Sequence, residues 1–150
     1  MRWQRIEKSD FGYAVQVPEG WQERPPNLKN SPWETARFVD PADRRHSVIV
    51  FRGLPHPGLQ ALEVAERVQF SLESVGFGDF HISETQVAGR PGARLECAKH
   101  DVGRTWAVRE YFVINGEVRF ALGCGTSVPD EDDPLFAAMS QRMEILESEE

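Results

Sequence analysis

The chain has 150 residues, of which 40% are hydrophobic and 27% charged, and this composition is typical of a single soluble globular domain over residues 1–150. Its 24 acidic and 17 basic residues give a net charge of −7, which argues against binding to nucleic acid or to an anionic membrane surface. Residues 1–7 contain no apolar signal segment, so we expect a cytoplasmic protein.

The first half of the chain predicts three strands and one helix. Residues 11–17 alternate between apolar and polar or small side chains, the period of a half-buried strand, and a Pro-Glu-Gly-Trp turn follows them. Residues 33–40 and 46–52 predict two more strands, the second with the continuous apolar centre of a strand covered on both faces. At residues 61–75 apolar side chains recur every three or four positions, which predicts an amphipathic helix.

The second half predicts a four-stranded antiparallel meander followed by a helix. The predicted strands share a period of two, are separated by short turns that contain glycine, and cover residues 81–87, 93–99, 104–114 and 117–125. The Asn115-Gly116 dipeptide between the last two strands is a strong signal for a two-residue hairpin turn. Asp133 as an N-cap, followed by Pro134, predicts the start of a final helix over residues 135–146.

The two cysteines are predicted to be free thiols. Pairing the last two strands across the Asn115-Gly116 turn puts Cys124 opposite Ala107. Pairing across the preceding turn puts Cys97 opposite the same Ala107 from the other side. Because neighbouring strands are about 4.8 Å apart, the cysteines would lie about 10 Å apart, which is too far for a disulfide.

The same registers place Arg94 opposite Glu110 and Trp106 opposite Gly125, with Gly123 on the same face. We interpret the Arg94–Glu110 pair as a partly buried ion pair with a structural role. A large ring over a strand glycine is a common packing arrangement. The alternative is that Gly123 and Gly125 leave an open trough beside Trp106, which a partner could occupy.

Trp33 is the fourth candidate for partner binding, with Trp106, Gly123 and Gly125. It borders a proline-rich loop over residues 25–32, and an exposed aromatic side chain beside a loop can anchor a partner. The alternative for Trp33 is that it caps the edge of the sheet, as we expect Trp21 to do.

No residue pattern in the chain predicts catalysis, a metal site or a cofactor. The four histidines, His46, His56, His81 and His100, do not have the spacing of metal ligands, and no Cys-x-x-Cys is present. The sequence also has no Gly-x-Ser-x-Gly nucleophile elbow, and the Gly89–Gly92 segment is too short for a phosphate-binding loop. We therefore expect no catalytic residue, no metal and no cofactor.

Two segments and the order of the elements resemble the PsbP/Mog-like α/β/α family over about residues 9–146. The segments are Tyr13-Ala14-Val15-Gln16-Val17-Pro18-Glu19-Gly20-Trp21 and Gly89-Arg90-Pro91-Gly92-Ala93. The resemblance implies an α+β fold in which helices pack on a single antiparallel sheet of six to seven strands. It also implies a non-enzymatic protein that binds other proteins. The missing lipid-attachment signal points to the cytosolic branches, among the bacterial DcrB-type and Eag-type relatives.

Three hypotheses for the function remain open at this point. The first is a non-catalytic protein-binding module, such as an adaptor or chaperone, with an unknown protein partner and an unknown oligomeric state. The second is a small-ligand carrier, which requires a pocket between the sheet and a helix. The third is an enzyme, which requires a cleft with converging titratable groups.

Overall fold

The computed structural model describes residues 1–54 and 58–146. In chain order the elements are β1 (Trp3–Lys8), a short 3-10 helix (Ser9–Phe11), β2 (Tyr13–Pro18), β3 (Gln22–Arg24), β4 (Glu34–Asp40), β5 (Asp43–Gly53), α1 (Ala61–Glu73), β6 (Gly78–Val87), β7 (Arg90–Asp101), β8 (Arg104–Asn115), β9 (Val118–Thr126), α2 (Pro129–Arg142) and β10 (Glu144–Ile145). The predicted α+β class and the predicted meander are confirmed.

The strands form two sheets, so the prediction of a single sheet is wrong. The larger sheet has seven strands in the order β3-β4-β5-β9-β8-β7-β6, and the smaller one has three in the order β1-β2-β10. The sequence pattern predicts no strand in the first ten residues, although Trp3 and Ile6 pack against the core from β1. That segment is short and rich in charge, and it becomes a strand because β2 supplies its hydrogen-bonding partner.

Two cores hold these layers together. One lies between the seven-stranded sheet and a layer made of α2 and the small sheet, with Tyr13, Phe38 and Phe136 among its fully buried side chains. The other lies under α1, where Val64 and Ala65 contact the opposite face of the large sheet. We call these faces of the large sheet the α2 face and the α1 face.

The final helix starts earlier than predicted. Pro129, and not Pro134, occupies the first helical position, and Pro134 lies inside α2. The Thr126 hydroxyl accepts a hydrogen bond from the Val128 backbone N–H at 2.8 Å and donates one to Asp132 at 2.6 Å. These bonds fix the start of the helix at the end of β9, a contact that depends on the tertiary fold.

Both predicted registers of the meander are wrong, because each turn lies slightly further along the chain. The loop between β8 and β9 is Gly116-Glu117, with Gly116 at φ 62° in its first position, and Asn115 pairs with Val118. Asp101, and not His100, pairs with Arg104. The pairing of β7 with β8 thus differs from the predicted pairing by one residue. A slip of one residue turns every side chain of a strand to the other face of the sheet.

Candidate functional site

A groove crosses the α1 face of the large sheet beside the helix. Helix α1 packs mainly on β6, β7 and β8, and no helix of the described residues covers the neighbouring surface of β9, β5 and β4. The resulting cavity has a volume of about 290 Å³. Its apolar lining comes from both the helix and the sheet: Trp33, Phe51, Val64, Val68, Leu72 and Phe112. We call it the α1 groove.

Trp33 stands at one end of the α1 groove on a well-anchored backbone. Its carbonyl accepts a hydrogen bond from the Arg52 N–H at 2.9 Å, and its own N–H donates to the Ser31 hydroxyl at 3.2 Å. The side chain is nevertheless 45% exposed. A Cβ atom added to Gly53 would lie 3.4 Å from the Trp33 ring, so the ring lies directly against that backbone. Trp33 is thus an exposed aromatic group in a fixed position.

The loop before Trp33 is held by a buried carboxylate. The Glu34 side chain is 0% exposed and accepts two hydrogen bonds from the Arg37 guanidinium, at 2.7 and 2.9 Å. It also accepts the Asn27 backbone N–H at 3.0 Å and a bond from the Asn30 amide. These bonds lower the pKa of Glu34 against the opposing effect of its burial. The loop therefore presents Trp33 with little conformational freedom to lose on binding.

Glu110 is the carboxylate on the floor of the groove. It lies on β8 in a row with Val108, Phe112 and Ile114, and α1 covers part of that row. Burial raises the pKa of the Glu110 carboxyl to about 7, and the positive charge of Arg119 opposes that rise. Among the described residues, none forms a hydrogen bond or ion pair with Glu110, yet its side chain keeps partial solvent access. A ligand in the groove can therefore reach an unpartnered carboxyl group.

Gly123 and Gly125 lie on the same face, and side chains already cover both. Gly123 is opposite Glu110, and a Cβ atom added there would lie 3.0 Å from the edge of the Phe51 ring. Gly125 is opposite Val108, and not opposite Trp106 as predicted. The Trp106 ring still reaches across to Gly125, where an added Cβ atom would lie 2.6 Å from it. The ring over Gly125 is thus a packing contact outside the α1 groove.

The predicted Arg94–Glu110 ion pair does not form. Arg94 is opposite Tyr111, which puts it on the α2 face, while Glu110 is opposite Leu95 on the α1 face. Arg94 instead donates to Glu96 at 2.8 Å and to the Tyr111 hydroxyl at 3.3 Å. The one-residue change of register is the physical reason, and it leaves Glu110 without the cation that was expected to neutralise it.

Both cysteines are free, as predicted, but for a different reason. Cys97 is opposite Val108 on the α1 face, whereas Cys124 is opposite Arg109 on the α2 face. They do not flank Ala107, and the sheet itself separates them. Burial raises the pKa of Cys97 to about 12 and raises that of Cys124 well above its usual value. Neither thiol is a reactive nucleophile at neutral pH.

The described histidines have different surroundings. His81 is exposed, and the exposed His100 forms hydrogen bonds with Asp79 at 2.8 Å and with Thr105 at 3.0 Å. His46, which we expected on the polar surface, has a side chain only 11% exposed that stacks on Trp21 with ring centroids 4.8 Å apart. His56 lies outside the described residues.

The α1 groove has the features of a binding site more than those of a catalytic one. Two serines line it, but the Ser31 hydroxyl accepts the Trp33 N–H and the Ser71 hydroxyl donates to the Arg67 carbonyl at 3.4 Å. Neither is hydrogen-bonded to Glu110, so the described residues do not form a nucleophile–base pair there. The groove offers apolar contact, one fixed aromatic ring, the carboxyl group of Glu110 and the guanidinium of Arg119.

Solved structures of other proteins share this fold. The chain is 15% identical to cyanobacterial PsbP (CyanoP) from Synechocystis, with a TM-score of 0.74, and the match covers 95% of this chain and 92% of that one. It is 11% identical to the Ran-binding protein Mog1p of Saccharomyces cerevisiae, with a TM-score of 0.65 and coverage of 98% and 97%. LpqN of Mycobacterium tuberculosis, described as involved in cell envelope biogenesis, is 17% identical to this chain, with a TM-score of 0.63. That match covers 97% of this chain and 91% of LpqN.

These matches show a PsbP/Mog-like fold, as the sequence resemblance implied. No protein-family model matches the chain, and no curated protein matches it in sequence. At identities this low, shared structure carries no function with it. Among the described helices, none is long and apolar enough to cross a membrane.

Proposed function

We propose that this PsbP/Mog-like chain is a non-catalytic protein-binding module, and that its partner docks in the α1 groove. The observation that carries the proposal is the part of the α1 face that no described helix covers, where the fixed, 45% exposed Trp33 stands beside an apolar groove. Interface anchors are typically aromatic side chains next to well-packed pockets. The Ran-binding activity named for Mog1p is consistent with protein binding by this fold.

The charge of the groove indicates what kind of segment would bind. Glu110 forms no hydrogen bond or ion pair with any described residue, and this includes Arg119, which lines the same groove. The whole chain has a net charge of −7. A half-buried carboxylate without a partner is only partly solvated, and a cation that pairs with it offsets that cost. We therefore propose a partner segment that inserts a lysine or arginine beside an apolar anchor residue. The apolar anchor would contact Trp33 and Phe51, and the cation would reach Glu110.

An enzyme is the weaker hypothesis, although Glu110 gives it one argument. A carboxyl group with a pKa of about 7 in a groove is what a general base requires. Catalysis also needs a second group that acts on the same reacting atom. The charge of Arg119 acts on Glu110, but the two do not form an ion pair. A cation-binding role for Glu110 needs no second group.

A small-ligand carrier remains the second candidate because the groove lies where such a pocket is required, between the sheet and α1. Its volume of about 290 Å³ is at the lower end of the range for ligand pockets. Native mass spectrometry of the protein purified from its own host tests this candidate. A bound molecule that Val68→Trp displaces would favour the carrier.

Selection of short random peptides displayed on phage tests the protein-binding proposal. We expect the wild-type chain to enrich peptides that combine an aromatic or aliphatic residue with a lysine or arginine. The Glu110→Gln chain should lose the preference for the basic residue, and the selected peptides should bind it about 10-fold more weakly. Trp33→Ala should weaken binding by a similar or larger factor.

Two controls match these variants. Glu117→Gln removes an exposed carboxylate from the β8–β9 turn, and Phe70→Ala removes an aromatic ring that is 78% exposed on α1 but outside the groove. Both should bind the selected peptides as the wild type does. Failure to enrich any peptide family, or equal losses in the controls, would contradict the proposal. The proposal includes a cytoplasmic location, which fractionation of the host cell would test.

A further inference from the structure

A second cluster of polar side chains lies at the β4–β5 hairpin, on the opposite face of the sheet from the α1 groove. Asp40 and Asp43 pair across the two-residue turn, and His46 follows on β5. Each of these three residues has one atom that could bind a metal ion, and the three atoms all lie within 4.8 Å of one another. The cluster is independent of the proposed binding groove.

Hydrogen bonding and stacking fix the orientation of His46. Its Nδ1 lies 3.1 Å from Asp132 Oδ2, which also accepts a hydrogen bond from the Thr126 hydroxyl at 2.6 Å. The imidazole ring stacks on Trp21. Because a carboxylate only accepts hydrogen bonds, the Asp132 contact puts the hydrogen of a neutral imidazole on Nδ1 and leaves a lone pair on Nε2.

That Nε2 atom is buried, and none of the described residues forms a hydrogen bond with it. It faces a carboxylate oxygen, Asp40 Oδ2, at 3.6 Å. This distance is too long for a hydrogen bond, and two ligands bonded to one tetrahedral metal at ~2.0–2.1 Å lie about 3.4 Å apart. A lone pair that faces a carboxylate oxygen is unfavourable unless a cation lies between them.

We propose that Asp40, Asp43 and His46 form a site for a divalent metal ion, with Zn²⁺ as the ion that the ligands suit best. One imidazole nitrogen and two carboxylate oxygens are three of the ligands that Zn²⁺ takes, and water would supply the fourth. The His46–Asp132 contact is the arrangement in which a carboxylate orients a metal-binding histidine. A cavity of about 370 Å³, lined in part by Asp40 and His46, connects the cluster to the surface.

The carboxylates of the site are also held by hydrogen bonds. Asp40 Oδ1 accepts the Ala42 backbone N–H at 2.9 Å, which leaves Oδ2 free. Asp43 accepts three hydrogen bonds from the Arg45 guanidinium, at 2.8, 3.0 and 3.2 Å, and one from the Arg45 backbone N–H at 3.0 Å. Such outer contacts are typical of metal-binding carboxylates. Arg24 and Arg44 line the same cavity, but both are exposed, so water and salt screen their charge.

Isothermal titration calorimetry of the full, tag-free chain with ZnCl₂ tests the site. We expect one saturable site with a Kd of about 1–10 µM for the wild type, and no heat of binding above background for His46→Gln. Asp40→Asn should abolish or strongly weaken binding, and Asp132→Asn should weaken it about 10–100-fold because Asp132 only orients His46. The buried Cys97 and Cys124 are not available to the added metal.

His100→Gln is the matched control, because His100 also bonds a carboxylate but is exposed and outside the cluster. It should bind Zn²⁺ as tightly as the wild type. Circular dichroism checks that each variant is folded. If His46→Gln fails to fold, Asp40→Asn decides the question, because that side chain lies at the turn and is 26% exposed. The proposal would be overturned if the wild type showed no saturable binding, or if binding persisted in folded Asp40→Asn and His46→Gln. The cluster would then be held by hydrogen bonds alone, without a metal ion.

Discussion

Glu110 on β8 lies directly opposite Gly123 on β9, so its carboxyl group lies against a backbone without a side chain and forms no ion pair with any residue that the structure describes. This relationship makes stability depend on pH. The pKa of Glu110 in the folded protein, about 7, is above the usual 4.5. The Glu110 carboxyl group therefore keeps its proton to a higher pH in the folded protein than in the unfolded chain. The contribution of Glu110 to stability is therefore largest below pH 4.5 and falls as the pH rises to about 7.

We expect Glu110→Gln to remove the loss of stability at higher pH, because glutamine resembles the protonated carboxyl group and never ionises. The variant should unfold at nearly the same urea concentration as the wild type at pH 5. At pH 8 it should be more stable by about 1–3 kcal/mol. Glu117→Gln serves as the control and should change stability little at either pH. Equal stability of wild type and Glu110→Gln at pH 8 would mean that water or a nearby charge already solvates Glu110.

Glu34 should be among the most destabilising positions for substitution. Glu34→Ala leaves the Arg37 guanidinium, the Asn27 N–H and the Asn30 amide without their shared acceptor. We expect a loss of about 2–4 kcal/mol in the free energy of unfolding, measured by urea denaturation. Glu23→Ala, which removes a surface partner of Lys8, should cost less than about 1 kcal/mol. A similar small loss for both would show that Glu34 is not a structural anchor of the Trp33 loop.

The contact between Gly125 and Trp106 predicts a specific double-mutant result. A Cβ atom at Gly125 would lie 2.6 Å from the Trp106 ring, so Gly125→Ala must displace the ring and should cost about 1–3 kcal/mol. In a Trp106→Ala background the same change should cost clearly less. Gly78→Ala is the control, because nothing lies within 4 Å of the added atom. Additive effects of the two changes would show that the ring does not cover Gly125 in solution.

Both cysteines should be free thiols that react slowly with thiol reagents in the folded protein. Thiol titration under non-reducing conditions should count both cysteines after denaturation, because Cys97 and Cys124 lie on opposite faces of the sheet. In the native protein they should react slowly, since both are buried and have raised pKa values. A count of zero in denaturant would require a disulfide that this sheet does not permit, or one between two chains.

Periodicity in the sequence predicted the helix at α1 and the strands of the meander, because each depends on its own side chains. It did not predict β1, β3 and β10, since these short segments become strands only when β2 or β4 pairs with them. Nor could it fix the registers, because a turn placed one residue too early, at His100 instead of Asp101, changes which face every residue of a strand occupies.

The candidate site was only partly accessible to sequence analysis, for the same reason. Trp33 was singled out from its neighbouring loop, and it does line the groove. Glu110 was assigned to an ion pair with Arg94, although one signal pointed elsewhere. It is the only charged residue in the alternating row Val108, Glu110, Phe112, Ile114 on β8. The contact between His46 and Asp132 joins residues 86 positions apart, and no local pattern encodes it.

The most direct test of the α1 groove uses the indole N–H signals of the four tryptophans in a ¹H–¹⁵N NMR spectrum. Trp33 lines the groove, whereas Trp3 and Trp21 pack into the core on the other side of the large sheet. When a peptide selected on the wild-type chain is added, we expect the Trp33 indole signal to shift progressively to saturation while those of Trp3 and Trp21 stay in place. Saturable binding that shifts Trp3 or Trp21 and leaves Trp33 unchanged would contradict the assignment of the groove as the binding surface.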